Sequence, residues 1–179
     1  SSESFTKLLK IKFPFLIAPM FLVSNRKILE AAIYENIAGA IPALNYRHEE
    51  KLKEDITILN NLCKEREFGS FGLNIIIEHP LAEKFITILQ NSPVPFITTS
   101  LGHPGKVIEK LKPIDTKVFC DVTNLKHAQK AVSAGCDGLI AVGSEAGGHP
   151  GQYPLNMLIP ALKDEFPEIP IIASGGIVS

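Results

Sequence analysis

Apolar positions along this chain follow two alternating rhythms. Short runs of buried character, rich in β-branched residues, occur at "FLIAPM" (15–20), "GAIPAL" (39–44), "SFGLNIII" (70–77), "VPFITTSL" (94–101), "TKVFCDV" (116–122), "DGLIAVG" (137–143) and "PIIASGG" (170–176). Each has the length and bounding residues of a β-strand covered on both faces. Between them lie segments of helical period: 25–36, 49–65, 81–91, 105–112, 124–135 and 155–166. In the first of these, Ile28, Leu29, Ala32 and Ile33 share one face, with Ser24 or Asn25 available as the cap. Gly135 is a natural helix stop, and Pro160 bends or delays the last helix.

Seven strands alternating with six helices predict an α/β fold built on a parallel sheet. The repeat of about 25 to 30 residues is that of a (β/α)8 TIM barrel, here truncated after about seven strands. An open doubly wound sheet is the alternative, but the loop after the first strand, "MFLVSN", carries no G-x-G-x-x-G turn. Residues 1–179 are expected to form a single barrel domain whose C-terminal part is missing, since the sequence stops two residues after "SGGI" (174–177).

Composition narrows the function. Eighteen Lys and Arg balance nineteen Asp and Glu without long blocks of like charge, which argues against a nucleic-acid or polybasic membrane surface. The apolar run 13–23 is too short to span a bilayer and is interrupted by Pro14 and Pro19. Three cysteines, an odd number without C-x-x-C spacing, fit a reducing, cytoplasmic setting.

A parallel barrel gathers its chemistry at the C-terminal ends of its strands. Four of the seven ends are rich in glycine or small residues, which let a ligand approach the backbone. "SGGI" ends the seventh strand, where this fold usually holds phosphate; a plain tight turn is the other reading. "GSEAGGHPGQ" (143–152) follows the sixth strand and holds His149 among glycines, with few neighbours to make it a core residue. Imidazole readily gives or takes a proton near neutral pH, so His149 is the candidate catalytic group, against a solvated loop histidine. Asn74 interrupts an apolar strand end, and its amide needs partners, from a neighbouring strand or from the edge of a heterocycle. Met20 packs in the core or lies against a planar cofactor. His103 lines the site or serves the turn before Pro104. Cys120, at the end of the fifth strand, is read as a structural thiol, and no residues have zinc-like spacing, so no metal is expected.

The segments "PFLIAPMFLVSN", "FGLNI", "ITTSLGHP", "AGCDGLIAVGSEAGGHPGQ" and "IPIIASGGI" together resemble the nitronate monooxygenase family, also called 2-nitropropane dioxygenases. The specific part is "EAGGHPG" with its spacing to "ASGGI". The resemblance implies an FMN-dependent (β/α)8 barrel that oxidises alkyl nitronates or nitroalkanes with oxygen to a carbonyl compound and nitrite. It further implies His149 as the active-site histidine and Ala18, Pro19 and Met20 along the flavin. Asn74 would bond the ring edge, Gly147 would contact the cofactor, and Gly175 and Gly176 would offer amides to its phosphate. One departure is Val142, where many relatives carry a glutamine. Small-molecule substrate and oxygen are the expected partners, with neither nucleic acid nor membrane, and a homodimer is an expectation. Flavin-dependent enoyl-acyl carrier protein reductases look like the same barrel and remain the alternative function; a non-catalytic flavin-binding barrel is the third. IMP dehydrogenase relatives share "AGCDG" but use a cysteine after the sixth strand, and no cysteine follows Cys136.

Overall fold

The computed structural model describes residues 2–177. In chain order it contains α1 (Ser2–Leu9), β1 (Leu16–Ile17), α2 (Arg26–Tyr34), β2 (Ala38–Pro42), α3 (Glu49–Glu65), β3 (Ser70–Ile76), α4 (Ala82–Asn91) and β4 (Phe96–Ser100). It continues with α5 (Gly105–Leu111), β5 (Lys117–Val122), α6 (Leu125–Ala134), β6 (Gly138–Val142), α7 (Leu155–Glu165) and β7 (Ile171–Ser174). Short 3-10 turns follow β2 (Ala43–Asn45) and α5 (Lys112–Ile114). The strands form one parallel sheet in sequence order, each paired with the next.

Local chemistry explains where the helices begin and end. Asn25 caps α2 by accepting a hydrogen bond from Ile28 N at 3.3 Å, and Asn124 caps α6 by accepting from His127 N at 2.8 Å. Gly135 takes the left-handed conformation, φ 89°, that closes α6. Pro160 lies inside α7, which starts at Leu155 and runs past it. Asp55 on α3 is buried between Arg26 Nε at 3.2 Å and Lys51 Nζ at 3.1 Å, and Tyr46 donates to its Oδ2 at 3.0 Å. That cluster joins α2, α3 and the turn after β2; burial, reinforced by Asp55, pushes the Tyr46 hydroxyl pKa well up.

Two apolar layers lie on opposite faces of the sheet. The outer one packs Leu29 and Ile33 of α2, Leu52, Ile56 and Leu59 of α3, and the apolar faces of the later helices against Ile41, Leu73, Ile75, Ile97, Val118 and Leu139. The inner one unites Ala38 and Ala40 of β2 with Phe96 of β4, Phe119 of β5, and Ile140 and Val142 of β6. Parallel strands in strict sequence order place every connecting helix on one face, and the sheet curls with that face outward around the inner cluster, so the strands form an incomplete (β/α)8 barrel. Phe119 meets the Phe96 ring edge-on with centroids 6.0 Å apart. Glycines make room for these rings: a Cβ on Gly72 would lie 2.5 Å from the Phe96 ring, and one on Gly138 would lie 2.7 Å from that of Phe119.

Two features differ from the sequence expectation. The helix α1 is additional; Phe5, Leu9 and, just beyond it, Ile11 join the inner cluster, and the Phe5 ring stands edge-on to Phe119 at 5.9 Å. β1 is only two residues long, because Pro14 and Pro19 have no N–H to give a ladder. Ala18, Pro19 and Met20 therefore stand in the loop beyond β1.

Candidate functional site

Side chains two apart on a strand share a face, so those following the inner aromatics also look inward, nearer the C-terminal ends of the strands. They are polar. Asn74 on β3 lies opposite Thr98 on β4, while Ser100 and Asp121 follow Thr98 and Phe119 on the same face. The Asn74 amide nitrogen donates to Ser100 Oγ at 2.9 Å and Thr98 Oγ1 at 3.1 Å, with a longer contact to Thr98 O at 3.5 Å. Ser100 in turn donates to Asp121 Oδ2 at 2.6 Å. Burial pushes the Asp121 carboxyl up to about 6, against the opposing pull of the Ser100 hydroxyl.

Asp121 and Ser100 are the site residues that sequence reasoning missed. The signal was the alternation in "KVFCDV": if Phe119 faces inward, so does Asp121, and Cys120 does not. Cys120 is indeed buried in the outer layer, close to Cys136, where it has no access to the barrel mouth.

The loop after β1 forms one lip of the mouth. Met20 N donates to Ser24 Oγ at 2.9 Å, and Ser24 N returns a bond to Met20 O at 2.9 Å. Asn45, from the turn after β2, clamps this loop by donating to Ser24 O at 2.8 Å and Met20 O at 3.3 Å, and by accepting from Leu22 N at 3.0 Å. The clamp holds Leu22 at φ 62° and leaves Met20, Phe21, Leu22 and Val23 exposed as an apolar strip. Replacing Asn45 with alanine removes all three bonds; we expect a loss of about 1–3 kcal/mol and faster amide exchange at Leu22, with α3 unaffected. Hydrogen-exchange mass spectrometry checks this.

On the other side, the loops after β6 and β7 press together. Gly143 N donates to Ser174 O at 2.9 Å, and the 143–153 loop closes on itself through Gly151 N to Gly143 O (3.0 Å) and Ser144 N to Tyr153 O (2.9 Å). Gly175 has φ 111°, and a Cβ there would lie 2.6 Å from both the nitrogen and the Cα of Ala146. Gly176 has φ 60°, and its Cβ would lie 2.5 Å from that of Glu145. Glycine at both positions lets the end of β7 approach the 143–153 loop at backbone distance.

His149 is exposed on the same loop, and Gly147 has open space around it. The structure thus brings Gly175 and Gly176 against the loop that carries Gly147 and His149. Asn74 belongs to the polar chain across the mouth on β3, and Met20 to the β1 lip. Three of the other four histidines have local duties: His79 and His103 accept through Nδ1 from Leu81 N and Gly105 N, each at 3.2 Å, and His127 pairs with Thr123 Oγ1 at 3.0 Å. His103 therefore serves its turn.

Residues 44–179 match the sequence profile of the nitronate monooxygenase family. This chain belongs to the nitronate monooxygenase family. Relatives spread over more than one chemistry. A 5-hydroxy-7a-methyl-1-oxo-octahydro-1H-indene-4-carboxyl-CoA dehydrogenase of Rhodococcus jostii is 28% identical over 171 residues, which span 96% of this chain and 47% of that protein. A probable nitronate monooxygenase of Staphylococcus aureus is 26% identical, the alignment covering 97% of this chain and 60% of the relative. The structure of FabK from Thermotoga maritima is similar with TM-score 0.85 and 31% identity, over 96% of this chain and 53% of FabK. The chain thus spans about half the length of the relatives it matches. Among the described residues no helix is long and apolar enough to cross a membrane.

Proposed function

We propose that this family member carries FMN in the barrel mouth and oxidises alkyl nitronates with oxygen to a carbonyl compound and nitrite. The observation that carries the reading is the contact between the two loops: the Gly175–Gly176 cradle is held against the segment that presents His149, in a chain of this family. The residues present fit the cofactor. A Cβ at Gly175 or Gly176 would collide with Ala146 or Glu145, the loop after the seventh strand is where this fold usually holds phosphate, and the Asn74 amide nitrogen is committed within the protein, so its carbonyl oxygen is the atom left to accept from a ring N–H.

When bound, FMN supplies the electron acceptor that the reaction needs. The chain's own residues do the rest. Ala18, Pro19 and Met20 would offer an apolar lip to a planar ring, and Gly147 has open space around it. His149, exposed and free of a hydrogen bond in the described structure, is available to hold an anionic nitronate or to take a proton from a nitroalkane.

The test is to purify the intact protein, record its visible spectrum, and add a nitronate without oxygen. Bleaching of the yellow colour is the expected result. His149→Ala should slow the bleaching at least tenfold while the bound colour stays. Bleaching at an unchanged rate in that variant removes His149 from the reaction.

A flavin-dependent enoyl reductase is the second reading. FabK is the more identical of the compared proteins, and Val142, buried in the inner cluster, offers no hydrogen bond. Bleaching by a reduced nicotinamide, reversed by an enoyl thioester, with no bleaching by nitronate, would decide for it. A bound flavin that neither donor bleaches would mark a non-catalytic barrel.

A further inference from the structure

The inner polar chain on β3, β4 and β5 has a direction, and that direction originates at Asp121. A carboxylate only accepts, so the single Ser100 hydroxyl proton turns to Asp121 Oδ2 at 2.6 Å. The Ser100 oxygen must then accept, and it does so from the Asn74 nitrogen at 2.9 Å. Asn74 is symmetrical in shape but not in chemistry; a flip would exchange its acceptor for a donor. The bond to Thr98 Oγ1 at 3.1 Å does not forbid the flip, because a threonine hydroxyl can donate or accept, and the acceptor-only Thr98 carbonyl oxygen, at 3.5 Å, opposes it only weakly. Asp121 can forbid it.

From this arrangement we infer that Asp121 is a positioning residue: acting through Ser100, it holds Asn74 with the amide nitrogen toward the sheet and the carbonyl oxygen available to a ligand N–H. The inference rests on the proposed flavin reading only for the identity of that ligand. The groups sharing the inner face around Asp121 are Ser100 and Thr98 from β4 and Ile140 and Val142 from β6, none of them charged. The Cys120 thiol beside it in the chain is in the outer layer.

The sign of the pH effect follows. Above about 6 Asp121 is ionised and the chain has one polarity. Below that value the protonated carboxyl can donate to Ser100, the Ser100 proton is released toward Asn74, and the Ser100 link satisfies either amide orientation, leaving only the long Thr98 carbonyl contact to favour one. Asn at position 121 has the same shape and can donate at every pH, so Asp121→Asn locks in the relaxed state. Ser100→Ala cuts the link, and Ser100→Thr keeps a hydroxyl.

Two measurements on the intact protein test this. The first follows the Asn74 side-chain amide resonances by NMR from pH 4.5 to 8 in flavin-free protein. A transition with its midpoint near 6 is expected in the wild type and in Ser100→Thr, and none in Asp121→Asn or Ser100→Ala. The second is FMN affinity by fluorescence titration over the same range. The wild type is expected to weaken about five- to tenfold as pH falls through 6, while Asp121→Asn binds at the weakened level throughout. Amide resonances that ignore pH, or an Asp121→Asn variant that keeps the wild-type affinity and pH profile, would overturn the inference. A wild type whose amides titrate but which binds no FMN at any pH would support the polarity argument and sink the flavin reading, so the two failures are distinct.

Discussion

Phe119→Ala is expected to destabilise the protein by about 3–5 kcal/mol, the cost of deleting a large aromatic from a packed interior. Phe119 is fully buried at the centre of the inner cluster, edge-on to Phe96 and to Phe5, and its ring stands where Gly138 leaves room for it. Alanine would leave a cavity that neither neighbour can fill without leaving its own strand or helix. The effect should spread unevenly, with α1 losing protection first because Phe5 is one of its few anchors. Urea denaturation with exchange read at α1 measures both parts. Phe5→Ala should cost less, and the double variant less than the sum, because the two rings share a contact. A loss below about 1 kcal/mol would mean that α1 and the inner aromatics do not close the barrel interior as described.

If FMN binds as proposed, Gly175→Ala is expected to weaken its binding by on the order of 100-fold. Two penalties coincide there. At φ 111° an alanine is strained by roughly 1–3 kcal/mol. Its Cβ would also lie 2.6 Å from the nitrogen and Cα of Ala146, backbone atoms that cannot rotate aside as a side chain could. The β7 loop must therefore move away from the 143–153 loop, spreading the cradle and the His149 segment together. Because the obstruction is backbone, adding Ala146→Gly should not rescue binding. Wild-type affinity in Gly175→Ala, or recovery in the double variant, would show that the two loops are not held together in this way.

Most of the architecture was legible from the chain. Apart from the shortened first strand, the expected strand and helix segments agree with the structure because strands covered on both faces read as unbroken apolar runs, and helices read through their period. Asn25 and Asn124 at helix starts and Gly135 at a helix end are local choices, visible without tertiary knowledge. The helix α1 escaped notice for the opposite reason. Eight residues are too few to hold a helix on their own, and the surface that stabilises Phe5 and Leu9 is a barrel interior assembled from β4, β5 and β6.

The polar chain shows the same limit at the site. A strand buried on both faces conceals which of its neighbours look inward, so "FCDV" directed attention to Cys120, whereas the adjacent Asp121 stands at the mouth. Asn74 was conspicuous because it alone interrupts its run; Ser100 and Asp121 sit at run ends, where polar residues are common and carry little signal.

What the sequence determined by itself is the succession of strands and helices, the glycines at loop positions, and the placing of one histidine among them. Those are properties of neighbours in the chain, set by propensity and backbone sterics. Only the tertiary structure decided which side of each strand faces the interior, that Asn74, Ser100 and Asp121 form one directed chain, and that the loops after β6 and β7 touch. The reason is geometric: side chains alternate with a period of two, so the inward set follows from sheet register and curl, and those depend on residues distant in the chain.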